Sequence, residues 1–77
     1  MEKNAFNRIT LENLLDILDA RTMINVFVGD ENGSKSIKFL KVYDFLSEPE
    51  LMKKYKDRWV IGIHGGKGYT NILIKPE

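Results

Sequence analysis

Few side chains in this sequence could do chemistry, and each lacks the partners it would need. His64 is the only histidine. It could act as a general base, but a base needs a nucleophile or a substrate-positioning group within reach. No serine or acid lies near it in sequence, and the expected hairpin register sets Tyr69 opposite. It reads as a residue at a hairpin end. Gly65-Gly66-Lys67-Gly68 has the composition of an anion cradle, with backbone amides and one lysine. A nucleotide loop needs Gly-Lys-Ser or Gly-Lys-Thr leading into a helix, whereas a strand follows here. Glycines that allow positive φ in a hairpin loop explain the run more simply. Glu12, Asp16 and Asp19 share one helix, with the first two spaced i, i+4. Carboxylates at that spacing repel weakly and usually form a solvated face. Asp30-Glu31-Asn32-Gly33 has the start of a calcium loop but not its distal glutamate or helical flanks. There is no cysteine, which excludes disulfides and thiolate zinc sites. No catalytic, cofactor-binding or metal-ligating residue is assigned, and an enzyme is not expected.

Binding surfaces are the remaining source of function. The chain has 12 basic and 11 acidic side chains, net +1, a balance unlike that of a protein built mainly to grip nucleic acid. Its basic excess gathers at Lys53, Lys54, Lys56 and Arg58. This candidate basic patch reads first as a solubilising helix end, with Glu48, Glu50 and Asp57 close by. The alternative is a nucleic-acid-binding module in which Trp59, Tyr69 or Phe27 stacks on bases.

The elements that must position these groups follow from periodicity. The 77 residues make one domain at most. Residues 1–8 read as a loose N-terminal arm, and 9–77 as a single α+β domain. Leu11, Leu14, Leu15 and Leu18 recur on one helical face and predict a helix over roughly 11–20. Thr10 is placed to cap it, with Ile9 and Leu14 as a hydrophobic staple. Met23 to Val28 alternates as a strand, and Asn32-Gly33 is a strong hairpin signal. The return strand covers about 35–42. A tight turn pairs Val26 with Phe39, and a wider loop pairs it with Ile37; both put Ile37 and Phe39 on the face of Val26. Residues 42–46 read as strand end or helical turn. Ser47-Glu48-Pro49-Glu50 is a capping-box pattern, predicting a second helix from Glu48 to about Lys56. A four-residue loop at 65–68 would then oppose Ile63 to Thr70, Ile61 to Ile72 and Trp59 to Ile74.

The expected order is α-β-β-α-β-β. The expected architecture is a four-stranded, mainly antiparallel sheet of two hairpins, with two short helices on one face. Ile24, Val26, Val28, Ile37, Phe39, Trp59, Ile61, Ile63, Ile72 and Ile74 would face the helices. The opposite face would hold Met23, Phe27, Leu40, Val60, His64, Tyr69 and Leu73 among polar neighbours. That mixed, uncovered face is the candidate binding face.

The leucine-rich segment Thr10-Leu11-Glu12-Asn13-Leu14-Leu15-Asp16-Ile17-Leu18 is followed by a hairpin, a short helix and a second hairpin. In outline, over residues 9–75, this layout resembles small uncharacterised proteins of phages and integrative elements of low-GC Gram-positive bacteria. The resemblance implies no catalytic residues. It implies a bacterial or phage accessory protein, of which inhibitors of host defence such as anti-CRISPR proteins are one kind. Many of those are acidic nucleic-acid mimics, which a net charge of +1 does not fit. The expected function is non-catalytic binding of another macromolecule, expected to be a protein or a second copy of the chain. The lack of cysteine fits a reducing compartment, so a cytoplasmic location is expected. Residues 1–7 lack the apolar run of a signal peptide, and no apolar run is long enough to span a membrane.

Overall fold

Thr10 begins the first element as expected. The computed structural model describes residues 9–30 and 33–76, and the segment read as an N-terminal arm lies outside them. Helix α1 is Leu11–Ile17, and the Asn13 amide donates to the Thr10 hydroxyl oxygen at 3.2 Å. It is shorter than the predicted 11–20 and leaves Ile17 73% exposed. Strands β1 (Met23–Asp30) and β2 (Gly33–Lys41) form the first hairpin, then α2 (Val42–Leu46) and α3 (Pro49–Tyr55) follow. Strands β3 (Val60–Gly66) and β4 (Tyr69–Ile74) form the second hairpin. Residues 42–46 are therefore an additional helix, and the order among the described residues is α-β-β-α-α-β-β.

The four strands form one mixed sheet in the order β2-β1-β4-β3. Both hairpins are antiparallel, but β1 and β4 meet in the centre as a parallel pair, with Val26 opposite Ile72 and Val28 opposite Ile74. Two of the three pairings are thus antiparallel, as expected, and the parallel central pair makes the sheet mixed. The central strands carry no lysine, and their one glycine is Gly29 near the end of β1. The outer ones carry Lys35, Lys38 and Lys41 on β2, or Gly62, Gly65 and Gly66 on β3. Lysines on an edge hinder pairing with another chain, and glycines weaken a central strand. The α2–α3 segment carries the chain across one face from β2 to β3, about 14 Å at the usual strand spacing.

Three helices and one sheet face share a single core. Leu11, Leu14, Leu15, Val42 and Phe45 pack with Ile24, Val26, Val60, Ile72 and Ile74, all buried. Leu51, Met52 and Tyr55 of α3 pack against its edge. Helix ends are capped by distant backbone rather than by side chains alone. The Leu11 amide donates to the Arg58 carbonyl (2.9 Å) and the Glu12 amide to the Lys56 carbonyl (3.0 Å), so free amides of α1 meet free carbonyls beyond α3. Likewise the Val42 and Tyr43 amides of α2 donate to the carbonyls of Thr22 and Ala20, each at 2.9 Å. The Val60 amide donates to the Ile9 carbonyl at 2.8 Å, covering part of the outer edge of β3.

The capping-box reading of Ser47 fails. Glu48 is the residue preceding α3, and it makes no side-chain cap bond. Ser47 instead ends α2, its hydroxyl donating to the Tyr43 carbonyl at 2.8 Å. The extra helix at 42–46 brings that carbonyl within reach, and the serine turns back to it.

The first hairpin keeps the register of the wider-loop alternative from Phe27 to Asp30, and a bulge then shifts it by one; the second closes with a shorter turn than expected and carries a bulge as well. In the first, Val26 faces Lys38, Asn25 faces Phe39 and Ile24 faces Leu40, with the irregularity between Val26 and Phe27. Leu40 thus turns to the core and Phe39 to the open face, the reverse of the expectation. In the second, Gly66 pairs with Tyr69, leaving a two-residue turn, Lys67-Gly68, with Gly68 at φ +77°. Ile63 faces Ile72, Val60 faces Ile74, and Ile61 is the extra residue. Val60, placed on the open face by simple alternation, is buried, and Trp59, placed in the core, is 40% exposed.

Candidate functional site

Two surfaces collect the remaining side chains of interest. The first is the sheet face opposite the helices. Pairing places residues in rows across β2, β1, β4 and β3. One row is Phe39, Asn25, Asn71 and His64; the next is Ser36, Phe27, Leu73 and Gly62. Alternation within the strands puts Met23, opposite Lys41, and Tyr69, opposite Gly66, on the same face. The Phe39 and Tyr69 rings meet edge to face at 5.5 Å, spanning β1, which lies between their strands. The Ser36 hydroxyl donates to Asn25 Oδ1 at 2.9 Å. A shallow depression of about 280 Å³ lies between Phe27, Leu73, Gly62 and His64. Of the residues expected here, Met23, Phe27, His64, Tyr69 and Leu73 share this face, whereas Leu40 and Val60 belong to the core side. Phe39, 55% exposed, is the member that simple alternation misplaced. Its adjacency to Leu40 was the available signal: two large apolar residues in succession break strict alternation and mark a change of phase.

His64 faces Asn71, not Tyr69, and is exposed. Ser34 also lines the depression beside it, but no carboxylate appears among the described residues there. Among the described residues, no three His, Asp or Glu side chains converge in a metal-ligating group. No helix among them is long and apolar enough to cross a membrane.

The second surface is on the helix side. The C-terminal end of α3 lies beside the end of the first hairpin, and between them is a cleft of about 560 Å³. Val28, Ile37 and Tyr55 give it apolar walls, and Lys35, Lys54 and Arg58 give it charge. Lys54 Nζ lies 5.5 Å from the centre of the Tyr55 ring and the Arg58 guanidinium carbon 5.4 Å. Both distances suit cation–π attraction, which holds the two cations around one ring. Arg58 Nη1 also donates to the Lys75 carbonyl at 3.3 Å and to the Pro76 carbonyl. The expected basic patch is therefore divided. Lys54 and Arg58 join Lys35 at the cleft, Lys56 pairs with Asp57 at 3.5 Å, and Lys53 is exposed outside the cleft lining. The sequence reading missed Lys35 and Tyr55, because only the fold brings β2 beside α3.

No protein-family model, curated protein or solved structure matches the chain.

Proposed function

We propose that this protein is a non-catalytic bacterial or phage accessory protein that acts by binding another protein through the uncovered face of its sheet. One observation carries the reading: Phe27, Phe39, Met23, Tyr69 and Leu73 lie together on the sheet face opposite the described helices, among Asn25, Asn71, Ser36 and His64. Aromatic residues and methionine are enriched at protein interfaces, and polar groups between them supply hydrogen bonds. The layout's resemblance to small proteins of mobile elements supports an accessory role, and inhibition of a host defence system is one form of it. The nucleic-acid alternative has weaker support. It draws on Lys53, Lys54, Lys56 and Arg58 together with Trp59, Tyr69 or Phe27. Tyr69 and Phe27 lie across the sheet from these cations, and of the three only Trp59, exposed and next to Arg58, is near them.

The test is a comparison of wild type with a Phe39→Ser, Leu73→Ser double variant. Proteins captured from a bacterial host by each are identified, purified and titrated back. A partner that binds wild type and loses at least about tenfold in affinity for the variant, the size of effect given by one interface anchor, supports the reading. Lys53→Glu should leave that affinity unchanged. If every purified partner binds the double variant as tightly as wild type, the open face is not the binding surface.

A further inference from the structure

We infer that the cleft between α3 and the first hairpin is a second binding site, separate from the open face, for an acidic peptide segment carrying an apolar side chain. The inference does not rest on the open-face reading, because the cleft lies on the helix side of the sheet.

The chemistry follows from the walls. Val28, Ile37 and Tyr55 are each half-buried, so an apolar group remains within reach of solvent there. A volume of about 560 Å³ is of the order of a small-ligand pocket and holds one large side chain with its flanking backbone. The cations come from three separate elements: Lys35 from β2, Lys54 from α3 and Arg58 from the segment after α3. No carboxylate is among the described side chains that line the cleft. Charge complementarity selects an acidic occupant. The apolar walls select one with an apolar side chain between its charges.

A peptide fits better than nucleic acid. Three cations would neutralise few phosphates, and nucleic-acid affinity depends on the number neutralised. Arg58 is pre-positioned by its bonds to the carbonyls of Lys75 and Pro76, which reduces the ordering cost of binding. The glycines at the hairpin end, Gly29 and Gly33, place no side chain over the opening.

The experiment uses fluorescence anisotropy of a labelled peptide in which one leucine is flanked on both sides by glutamates. The same peptide with lysine for glutamate is the charge control, and a labelled mixed-sequence DNA, single-stranded and duplex, is the nucleic-acid arm. Wild type should bind the glutamate peptide saturably and the lysine peptide not at all. Lys35→Glu with Lys54→Glu, both on exposed residues, should weaken binding by at least about tenfold as attraction becomes repulsion. Circular dichroism checks that this variant folds. Lys53→Glu makes the same kind of charge change outside the cleft and should have little effect, and Phe39→Ser with Leu73→Ser should have none. Chemical-shift changes on titration should centre on Val28, Ile37 and Tyr55. Absence of saturable peptide binding would overturn the proposal. So would equal losses from Lys53→Glu, which would reveal undirected electrostatics, or loss in the Phe39, Leu73 variant, which would move the site to the open face. Tighter binding of DNA than of peptide, abolished by the Lys35, Lys54 variant, would reassign the cleft to nucleic acid.

Discussion

Single residues carry the clearest differences between what a local pattern suggests and what the fold uses. Thr10 caps α1 through the Asn13 amide, and its own hydroxyl proton is directed at Asn13 Oδ1, 2.9 Å away. Removing such a cap costs about 1 kcal/mol. Ser47 satisfies no helix amide; its hydroxyl only adds a donor to an exposed carbonyl. Thr10→Ala should therefore lower the denaturant midpoint clearly more than Ser47→Ala, whose effect should lie within about 0.5 kcal/mol, as for other surface changes. Equal losses would restore the capping role to Ser47. Asp19 makes a second residue-scale case. The Arg21 backbone amide donates to its carboxylate at 2.8 Å, and the Arg21 side chain lies 3.5 Å away. The amide bond first, then the side-chain bond and charge of Arg21, hold its pKa below the ordinary 3.8. A depressed carboxylate pKa stabilises the fold above the unfolded value, and that contribution is lost as pH falls through the folded value. Because the largest cause is a backbone amide, Arg21→Ala should leave part of the depression in place. Carboxyl chemical shifts followed through an acid titration will show it, and a return to 3.8 in the variant would assign the effect to the side chain instead.

At the scale of elements, the bulges decide which side chains do structural work. A bulge adds one residue to one strand, so every side chain beyond it changes face relative to simple alternation. The first hairpin places Leu40 against the core and Phe39 on the open face. Leu40→Ala should thus destabilise the protein by roughly 1–2 kcal/mol, less than the cost at a fully buried leucine, and Phe39→Ala by less than that. Thermal or denaturant unfolding of the two variants ranks them. The opposite ranking would put Phe39 in the core and remove the bulge. Gly29 shows why this hairpin end tolerates no side chain at that position. A Cβ there would collide with the Gly33 carbonyl and the Ser34 backbone across the pair.

For the whole molecule, the open face bears on self-association. A 77-residue chain without disulfides has a small core, and small domains often gain stability by pairing. Phe39 and Phe27 would each contribute roughly 1.5–3 kcal/mol if fully buried, set against about 4–15 kcal/mol for lost translational and rotational freedom. Two anchors alone give at most a weak dimer. Sedimentation velocity over a wide concentration range should show weak, concentration-dependent association of wild type. Phe27→Ser with Phe39→Ser should be monomeric throughout, with an unchanged circular dichroism spectrum. Leu40 is no part of this test, because it packs with the core. A wild type that stays monomeric at the highest concentration would leave the face to a different protein partner.

The sequence by itself determined the features that depend on neighbours along the chain. The leucine spacing and Thr10 placed the start of α1, alternation placed the four strands, and turn residues joined them into two hairpins. The α+β class followed. Tertiary structure alone decided the phase and the pairing. Phe39-Leu40 and Trp59-Val60-Ile61 are successive large apolar residues, and period alone does not choose which of them faces inward. Burial against Phe45 and the α1 leucines chose Leu40 and Val60, and a bulge in each hairpin made that choice possible. The parallel meeting of β1 with β4 depends on a crossover that the sequence does not mark. It puts β1 and β4 at the centre, where both edges are paired, and leaves lysine-bearing β2 and glycine-rich β3 outside. The cleft with Lys35, Lys54, Tyr55 and Arg58 has the same origin, since residues 35 and 54 become neighbours only when the crossover lays α3 beside the first hairpin.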